Sequence, residues 1–354
     1  MSTDVTGPFP LPGAVLTLSG MHPGLEFSER SRGGVFTVED ARRAGYRPDQ
    51  IRSAVVSGAW HRLRRGIYVT RARWDAAGDA RERHLLAAAA AVTALGPGPV
   101  LSHSSAARFH DLLLPHRVDD VVRLTHPDQW RSGKGYRIAA AALPVEDVVD
   151  ADALRATSVP RTLLDCAREW SLTDAVAAMD RAMFLEKTCR QDLLAAALRQ
   201  SHWAGIGAAA RALGLSDGRA ESPLESRGRL AIEAAGLPRP ELQVELYGPQ
   251  GFVGRVDAWY EEAAVAVEFD GEVKYTDPRD GRTPAQVAWD EKRREDHVRG
   301  LEVRVVRIVQ ADLPRFSPVA ARLRELLTQP FTSSRRFRAV RTPEPGCDPA
   351  DAVA

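Results

Sequence analysis

The chain has 354 residues, 44% of them hydrophobic and 27% charged, and a formal net charge of +1. This length favours two or three domains, and the composition excludes collagen, coiled coils and wholesale disorder. No stretch approaches the 18 apolar residues of a membrane span, and the N-terminus lacks the pattern of a signal peptide. Three scattered cysteines exclude a disulfide framework and a cysteine-based zinc site, and they fit a reducing cytoplasm.

The basic residues are unevenly distributed. Only four of the 48 are lysine, which together with abundant Ala and Arg is typical of a GC-rich bacterium. Residues 30–66 contain nine arginines and three carboxylates, so this segment carries +6 and the rest of the chain −5. Such asymmetry is typical of a surface that binds a polyanion. A solvated helix face would show the same excess, and charge alone does not separate the two.

Residues 1–30 contain Pro and Gly without periodicity and predict a flexible arm. Thr37 and Asp40 have the spacing of a capping box at the start of a helix that ends at Gly45. A second helix begins near Pro48, since proline is favoured in the first helical turn, and it ends at Gly58. Two short extended segments over residues 60–69 then predict a small β-wing.

Helix, tight turn, helix and basic β-ribbon form the layout of a winged helix-turn-helix, which we predict over residues 31–75. In that layout the second helix enters the major groove of DNA and the wing contacts phosphates. The predicted DNA-binding side chains on this helix and wing are Arg47, Gln50, Arg52, Arg62, Arg64 and Arg65. A small structural helical pair that docks another protein would give the same pattern.

Residues 80–215 are rich in alanine and predict a mainly helical middle region. Strand-like segments at Val121–Leu124 and Arg137–Ala141 interrupt it, and a helix opens at about Arg161. His103 and His110 lie in an apolar helical setting with no second ligand pair nearby, which favours surface or core histidines over metal ligands. The sequence predicts no chemistry in this region.

Residues 221–328 predict a separate domain with the element order αβββαβ. Its first helix starts at Ser222, three strands follow up to residue 269, a charged helix covers residues 285–299, and a strand and a final helix complete it. Residues 329–354 predict a disordered tail. The whole chain is therefore expected to be a multidomain α+β or α/β protein.

Acidic side chains mark this domain. Asp257 lies in the middle of an apolar strand, where an ionised group is costly unless it is paired or metal-bound. Glu268 and Asp270 share one strand face because strand side chains alternate, and a tight hairpin would bring Asp257 beside Glu268. Converging carboxylates are the ligands that Mg²⁺ or Mn²⁺ takes, so Asp257 and Glu268 are the predicted metal ligands.

Each acidic residue also has a structural explanation. Glu225 stands three residues after Ser222 and would complete a capping box. Glu268 and Asp270 would equally end an edge strand with solvated carboxylates. Lys274 is one of only four lysines and follows the acidic pair, which makes it a candidate catalytic residue.

Residues 221–328 resemble the family of unknown function related to very-short-patch-repair endonucleases, within the PD-(D/E)XK (restriction-endonuclease-like) group. The stretches that carry the resemblance are SPLESR at 222–227, VDAW at 256–259, VEFDG at 267–271 and DEKR at 290–293. The resemblance implies that Asp257 and Glu268 hold the metal, that Glu225 assists from the first helix and that Arg293 supports the site. The nuclease group has lysine where this chain has Asp270, so Lys274 would have to supply the positive charge.

Residues 31–70 resemble the winged-helix domain of AbiEi-type antitoxins of type IV toxin–antitoxin systems, carried by FT at 36–37, GAW at 58–60 and LRRGIY at 63–68. The resemblance implies DNA binding and autorepression. We therefore expect a DNA-binding protein whose Mg-dependent endonuclease-like domain hydrolyses DNA. The alternatives are an antitoxin or regulator with an inactive nuclease fold, and an RNA- or nucleotide-binding domain. The expected partner is DNA, with a toxin or a repair or defence protein as a further candidate, and the oligomeric state stays open.

Overall fold

The structure is a computed structural model that describes residues 21–151, 153–271, 300–329, 331, 335–344 and 346. Helices and mixed sheets occur throughout, which confirms the predicted multidomain α and β class. The chain forms two compact units, one running to Asp111 and including Val118–Ser158, the other comprising Leu112–Arg117 and the chain from Val159 onward. None of the helices in the described ranges is long and apolar enough to cross a membrane.

The first unit begins with the basic segment. Its elements are α1 (Pro23–Ser31), β1 (Phe36–Thr37), α2 (Val38–Arg43), α3 (Pro48–Val56), β2 (Trp60–Arg64) and β3 (Ile67–Thr70). The strands form a three-stranded antiparallel sheet in the order β1-β3-β2. The predicted helix, turn, helix and hairpin are therefore all present.

Local signals set the ends of these helices. The Thr37 backbone N–H donates to the Asp40 carboxylate at 2.9 Å, and the Asp40 backbone N–H donates to Thr37 Oγ1 at 3.1 Å. This reciprocal pair is the predicted capping box, and it satisfies two donors that a helix start leaves unpaired. Gly45 has a φ of +90°, a backbone conformation that glycine adopts without steric cost, and it allows the turn into α3.

Helix α1 corrects the prediction that residues 1–30 form a flexible arm, because Pro23–Ser31 are helical. Leu25 is fully buried in a cluster with Phe36, Ile51, Trp60 and Tyr68. The Phe36 and Trp60 rings meet edge to face with their centroids 4.8 Å apart. The core of this small segment is rich in aromatic side chains, and α1 packs against it.

The rest of the first unit is a helix-backed sheet. Its elements are α4 (Arg71–Ala76), α5 (Ala80–Leu95), β4 (Val100–Leu101), α6 (His103–Phe109), β5 (Val122–His126), β6 (Arg131–Gly133), β7 (Tyr136–Ala140), a 3₁₀ turn (Val145–Asp147), β8 (Val148–Ala151) and β9 (Leu154–Thr157). The sheet order is β6-β7-β5-β4-β9-β8. Strands β5 and β7 match the two predicted strand-like segments.

The middle region is less helical than predicted, because residues 100–157 contain helix α6 and a six-stranded sheet in which only β5 and β7 correspond to predicted strand-like segments. Its strands are two to five residues long, so their alternation is too short to register as a periodic pattern. The alanine run of α5 is buried against this sheet, and small side chains let the helix approach it closely.

The second unit opens with four helices: α7 (Val159–Ala167), α8 (Leu172–Phe184), α9 (Arg190–Arg199) and α10 (Ile206–Leu215). A buried ion pair joins Arg161 Nε to Asp165 Oδ2 at 2.9 Å, and the Arg161 guanidinium lies 4.3 Å from the centroid of the Trp203 ring. A second buried pair joins Arg229 Nη2 to Asp180 Oδ2 at 2.7 Å. Arg161 and Arg229 therefore each form a buried ion pair with an aspartate of the same unit.

The acidic residues belong to the last part of the second unit. Its elements are α11 (Pro223–Ala234), β10 (Glu241–Gly248), β11 (Gly251–Tyr260), β12 (Val265–Asp270), β13 (Arg304–Val309), a 3₁₀ segment (Gln310–Arg315), α12 (Ser317–Leu327) and β14 (Arg338–Arg341). The sheet order is β13-β12-β11-β10-β14, and β12 and β13 run parallel. These elements follow the predicted order, and the helix predicted over 285–299 lies outside the described residues.

Strand β14 corrects the prediction of a disordered tail after residue 328. Residues Arg338–Arg341 pair antiparallel with β10, from Tyr247↔Arg338 to Val244↔Arg341. The Phe337 ring meets Trp259 edge to face at 5.8 Å. Backbone pairing with a strand nearly 100 residues earlier stabilises this segment, and its own composition does not show that.

Candidate functional site

The exposed face of helix α3 is the first candidate surface. Ile51 is buried beneath the helix, whereas Asp49, Arg52, Ser53 and Val56 are exposed. Val56 is 82% exposed, which is unusual for an apolar side chain. A face that combines a cation, a hydroxyl and an apolar side chain has the groups that read base edges and thymine methyls in the major groove.

Two predicted DNA-binding residues have local partners at the start of α3. Arg47 Nε lies 3.2 Å from Asp49 Oδ1, and the hydrogen bond from Arg47 lowers the pKa of Asp49. Gln50 Oε1 accepts a hydrogen bond from the Arg47 backbone N–H at 2.8 Å. The Gln50 carbonyl therefore caps the helix, and its amide NH₂ keeps the donor capacity.

The hairpin β2–β3 carries the other predicted arginines. Arg62 and Arg65 are exposed. Arg64 is half-buried: its Nη1 donates to the Lys134 carbonyl at 3.2 Å, and its guanidinium lies 5.2 Å from the centroid of the Tyr136 ring. Burial lowers the pKa of Arg64, although an arginine stays charged throughout the physiological range. Arg64 thus joins this hairpin to the six-stranded sheet.

The second candidate site starts at Glu225, in the first turn of α11. The Glu225 backbone N–H donates to Ser222 Oγ at 3.2 Å, as the capping-box explanation requires. Its carboxylate also has a hydrogen bond with the Ser222 side chain, and Oε2 accepts from the Glu221 N–H and from Gln243 Nε2, both at 2.9 Å. The Glu225 side chain therefore connects the helix start to strand β10.

Gln243 is a member of this site that the sequence analysis did not single out. It is 3% exposed and has a φ of +51° within strand β10. The strand changes the face on which its side chains lie at this residue. Leu242 packs in the core cluster beside α11, whereas Val244 packs in the cluster on the opposite face of the sheet. The only signal in the sequence is one amide inside an apolar strand. The structure directs that amide to Glu225.

Asp257 lies where strands β11 and β12 stop pairing. The antiparallel ladder runs from Tyr260↔Val265 to Ala258↔Val267, and Asp257 is the next residue of β11. Beyond this point a side chain replaces the backbone as acceptor, because the Phe269 backbone N–H donates to Asp257 Oδ2 at 2.7 Å. The sequence predicts that this mid-strand carboxylate is paired or metal-bound. The structure gives it a hydrogen-bond donor in the backbone of the neighbouring strand.

The charge of Asp257 acts on the Glu225 carboxyl group. Burial, and then the nearby charge of Asp257, raise the pKa of Glu225 to about 7. A carboxyl group with such a value exchanges its proton near neutral pH, which is the property that general acid–base chemistry needs. The structure therefore joins Glu225, Gln243 and Asp257 in one polar cluster.

Glu268 and Asp270 lie on strand β12, on the face opposite to the buried Val267 and Phe269. Asp270 Oδ2 is 3.7 Å from Arg307 Nη1, and Asp270 Oδ1 is buried without a hydrogen-bond partner among the described residues. Asp270 thus has a cation near it, although that cation is not the predicted lysine.

In the part of the chain that the structure describes, no group of three or more His, Cys, Asp or Glu side chains lies close enough to hold a metal ion. The assignment of Asp257 and Glu268 as metal ligands stays a prediction. Lys274 and Arg293 lie outside the described residues.

Comparison with known proteins bears on the first candidate surface. The sequence model of the family described as "Transcriptional regulator, AbiEi antitoxin" matches residues 25–70. This range begins in α1 and ends with β3, and it supports the resemblance predicted for the N-terminal segment. The match supports a DNA-binding regulator, and the endonuclease resemblance of residues 221–328 stays a prediction.

Two Mycobacterium tuberculosis proteins are similar over part of the chain. The uncharacterized proteins MT2308 (strain CDC 1551 / Oshkosh) and Rv2248 (strain H37Rv) are each 36% identical over 115 residues, which is 32% of this chain. The match spans 42% of their length, less than half. The crystal structure of the RV2827C protein from the same species aligns over 53% of this chain and 77% of its own, with 17% identity and a TM-score of 0.34.

Proposed function

We propose that this protein is a transcriptional regulator of the AbiEi antitoxin type that binds duplex DNA through a winged helix-turn-helix over residues 31–75. The observation that carries the proposal is the coincidence of the family match at residues 25–70 with the continuous run of elements from α1 to β3. The three-stranded sheet holds α3 and the hairpin β2–β3 on one aromatic core.

The exposed side chains give each element its role. Helix α3 enters the major groove, where Arg52 and Ser53 donate to base edges and Val56 packs against a thymine methyl. The wing follows the backbone, where Arg62 and Arg65 contact phosphates. Arg64 positions the wing rather than contacting DNA first, because its guanidinium is already held by the Lys134 carbonyl and the Tyr136 ring.

The test measures binding of the full chain to duplex DNA from upstream of its own gene, by fluorescence anisotropy over a series of salt concentrations. Each phosphate contact contributes about 0.9 to the slope of log K against log salt. The double variant Arg62→Gln/Arg65→Gln should therefore flatten the slope by about 1.8. Arg52→Gln should reduce discrimination between specific and unrelated duplexes.

A matched control is Arg117→Gln/Arg155→Gln, which removes two exposed arginines that lie outside the proposed interface. This variant should keep the slope and the sequence preference of the wild type. If the wild type binds no duplex DNA, or if both double variants behave alike, the proposal is wrong.

The family match also suggests a toxin as the partner, which an antitoxin would neutralise. The partner is sought by co-expressing the chain with the product of the adjacent gene and measuring growth. Rescue of growth that survives Arg52→Gln would separate toxin neutralisation from DNA binding. Failure of rescue by the wild type would leave a regulator without antitoxin activity.

A second candidate function is Mg-dependent hydrolysis of DNA by residues 221–328. It is favoured by the αβββ order, the parallel strand β13 and the contact of Glu225 with Gln243 beside Asp257. A bound Mg²⁺ would supply Lewis-acid stabilisation of the phosphate transition state, with Asp257 and Glu268 as the proposed ligands. Glu225 would hold a proton near neutral pH, and Lys274 would supply positive charge. The proposed DNA binding does not require this metal ion.

Cleavage is tested with plasmid DNA in Mg²⁺ or Mn²⁺, comparing the wild type with Asp257→Asn, Glu268→Gln and Lys274→Ala. The control is Glu325→Gln, an exposed carboxylate on α12. The nuclease proposal expects loss of cleavage in the first three variants only. If the folded wild type cuts nothing, the domain is an inactive platform. Equal cleavage by all variants would identify a contaminant.

A further inference from the structure

The hairpin of β6 and β7 is a basic, exposed feature that the DNA-binding proposal does not use. Residues 122–140 contain four cations, Arg123, Arg131, Lys134 and Arg137, and a single carboxylate, Asp128. All residues from Trp130 to Gly135 are exposed, and Trp130 is 75% exposed. Cations beside an exposed aromatic ring are typical of surfaces that bind nucleic acid.

The backbone of this hairpin is built for a fixed shape. Gly133 pairs with Tyr136, and the two residues between them, Lys134 and Gly135, form a tight turn in which Gly135 has a φ of +74°. A Cβ on Gly133 would lie 2.4 Å from the Tyr136 ring, so the ring packs directly on the bare backbone. Tyr136 is 8% exposed and anchors the hairpin in the core of the first unit.

The wing and this hairpin lie side by side. Arg64 of the wing donates to the Lys134 carbonyl at 3.2 Å and stacks on Tyr136 at 5.2 Å. The Arg131 guanidinium lies 5.9 Å from the centroid of the same ring. Both hairpins belong to one compact unit, so this contact fixes their relative position. Arg131 pairs with Ile138 and lies on the Tyr136 face of the hairpin, whereas Arg137 pairs with Ser132 and lies on the other face. The cationic surface beside the wing therefore consists of Arg62 and Arg65 together with Arg131 and Lys134.

We propose that residues Trp130–Arg137 form a second wing, which contacts the phosphate backbone of the same DNA duplex beyond the site reached by the first wing. The inference rests on the proposed DNA-binding function and adds to it. Arg131 and Lys134 supply phosphate contacts, and Trp130 packs against the sugar–phosphate edge. The partner is duplex DNA, because the first wing and α3 already define a duplex at this surface.

The experiment compares three full-length variants with the wild type by anisotropy on duplexes of increasing length, over a series of KCl concentrations. The hairpin variant is Arg131→Gln/Lys134→Gln, and the wing variant is Arg62→Gln/Arg65→Gln. The matched control, Arg117→Gln/Arg155→Gln, makes the same change of charge at exposed positions elsewhere.

The hairpin variant should flatten the salt slope by about 1.8, since two phosphate contacts are lost, without changing sequence preference. The loss should occur only on duplexes long enough to extend beyond the site covered by the first wing. Trp130→Phe should remove part of the fluorescence change that DNA induces in the wild type. The control variant should keep the wild-type slope.

Other outcomes overturn the inference in distinguishable ways. If the wing variant flattens the slope and the hairpin variant does not, the second wing is wrong and the DNA-binding proposal stands. If the wild type binds no duplex, both fail. An equal loss in the control variant would assign the effect to net charge. Tighter binding of single-stranded RNA, with a slope that the hairpin variant flattens, would make RNA the partner and refute the duplex.

Discussion

Replacing Glu225 with glutamine should change how the stability of the second unit depends on pH. Glu225 is 5% exposed, and burial together with Asp257 raises its pKa from 4.5 to about 7. Folding therefore favours the neutral carboxyl group. The stabilisation that this neutral form provides is fully present below pH 4.5 and is lost as the pH rises through about 7.

The size of the effect follows from the two pKa values. The difference between 4.5 and about 7 corresponds to about 3 kcal/mol in total, of which about 2.5 kcal/mol falls between pH 5 and pH 8. Glutamine stays neutral and can still accept from the Glu221 N–H and face Gln243. The variant should therefore gain stability relative to the wild type as the pH rises, by about this amount at pH 8.

The measurement is the free energy of unfolding in urea at pH 5, 6, 7 and 8 for the wild type, Glu225→Gln and Asp257→Asn. Subtracting the variant from the wild type cancels the groups that titrate alike in both proteins. Asp257→Asn removes the like charge, so it should move the midpoint to lower pH and leave it above 4.5, because burial is the larger cause. A difference that is flat from pH 5 to 8 would refute the raised pKa of the buried Glu225, and an unchanged midpoint in Asp257→Asn would refute the placement of Glu225 beside Asp257.

Two further predictions concern packing in the second unit. Gly228→Ala should lower the free energy of unfolding by about 1–3 kcal/mol, since its Cβ would lie 2.2 Å from the buried Phe269 ring. The control is Gly214→Ala in α10, whose Cβ would meet nothing within 4 Å and which should be neutral or slightly stabilising. Equal melting temperatures for the two variants would contradict this prediction. Asp180→Ala should cost about 3–5 kcal/mol in urea unfolding because it removes the nearest carboxylate from the buried Arg229 guanidinium and leaves Glu233 at 3.7 Å, and a loss below 1 kcal/mol would show that the pair is not buried.

The sequence predicted those elements whose signals are local. The Thr37–Asp40 capping box, the proline at the start of α3 and the glycine turns set the ends of the N-terminal helices within a few residues. In the sheet of residues 100–157, the sequence predicted only β5 and β7. The other strands are short and pair across the chain, as β4 does with β9 through Leu101↔Ala156, so their local sequence does not reveal them.

The candidate sites show the same division. Asp257 stands out in the sequence because a carboxylate is costly in an apolar strand, and the structure gives it a backbone donor. Gln243 does not stand out, because its role depends on the left-handed conformation at that residue. The contact of Arg64 with Lys134 joins residues 70 positions apart, and no local pattern encodes it.

Strand β14 has a consequence for how the chain can be shortened or extended. It covers β10 at residues 244–247, and it is an outer strand of a five-stranded sheet. A truncation after α12 would strip this cover and leave a row of open amide and carbonyl groups beside Val244 and Leu246. An unpaired sheet edge of this kind pairs with an extended peptide, including a segment of a neighbouring molecule. Strand β14 thus shields β10 from pairing with another chain, and a cut before residue 338 should promote self-association.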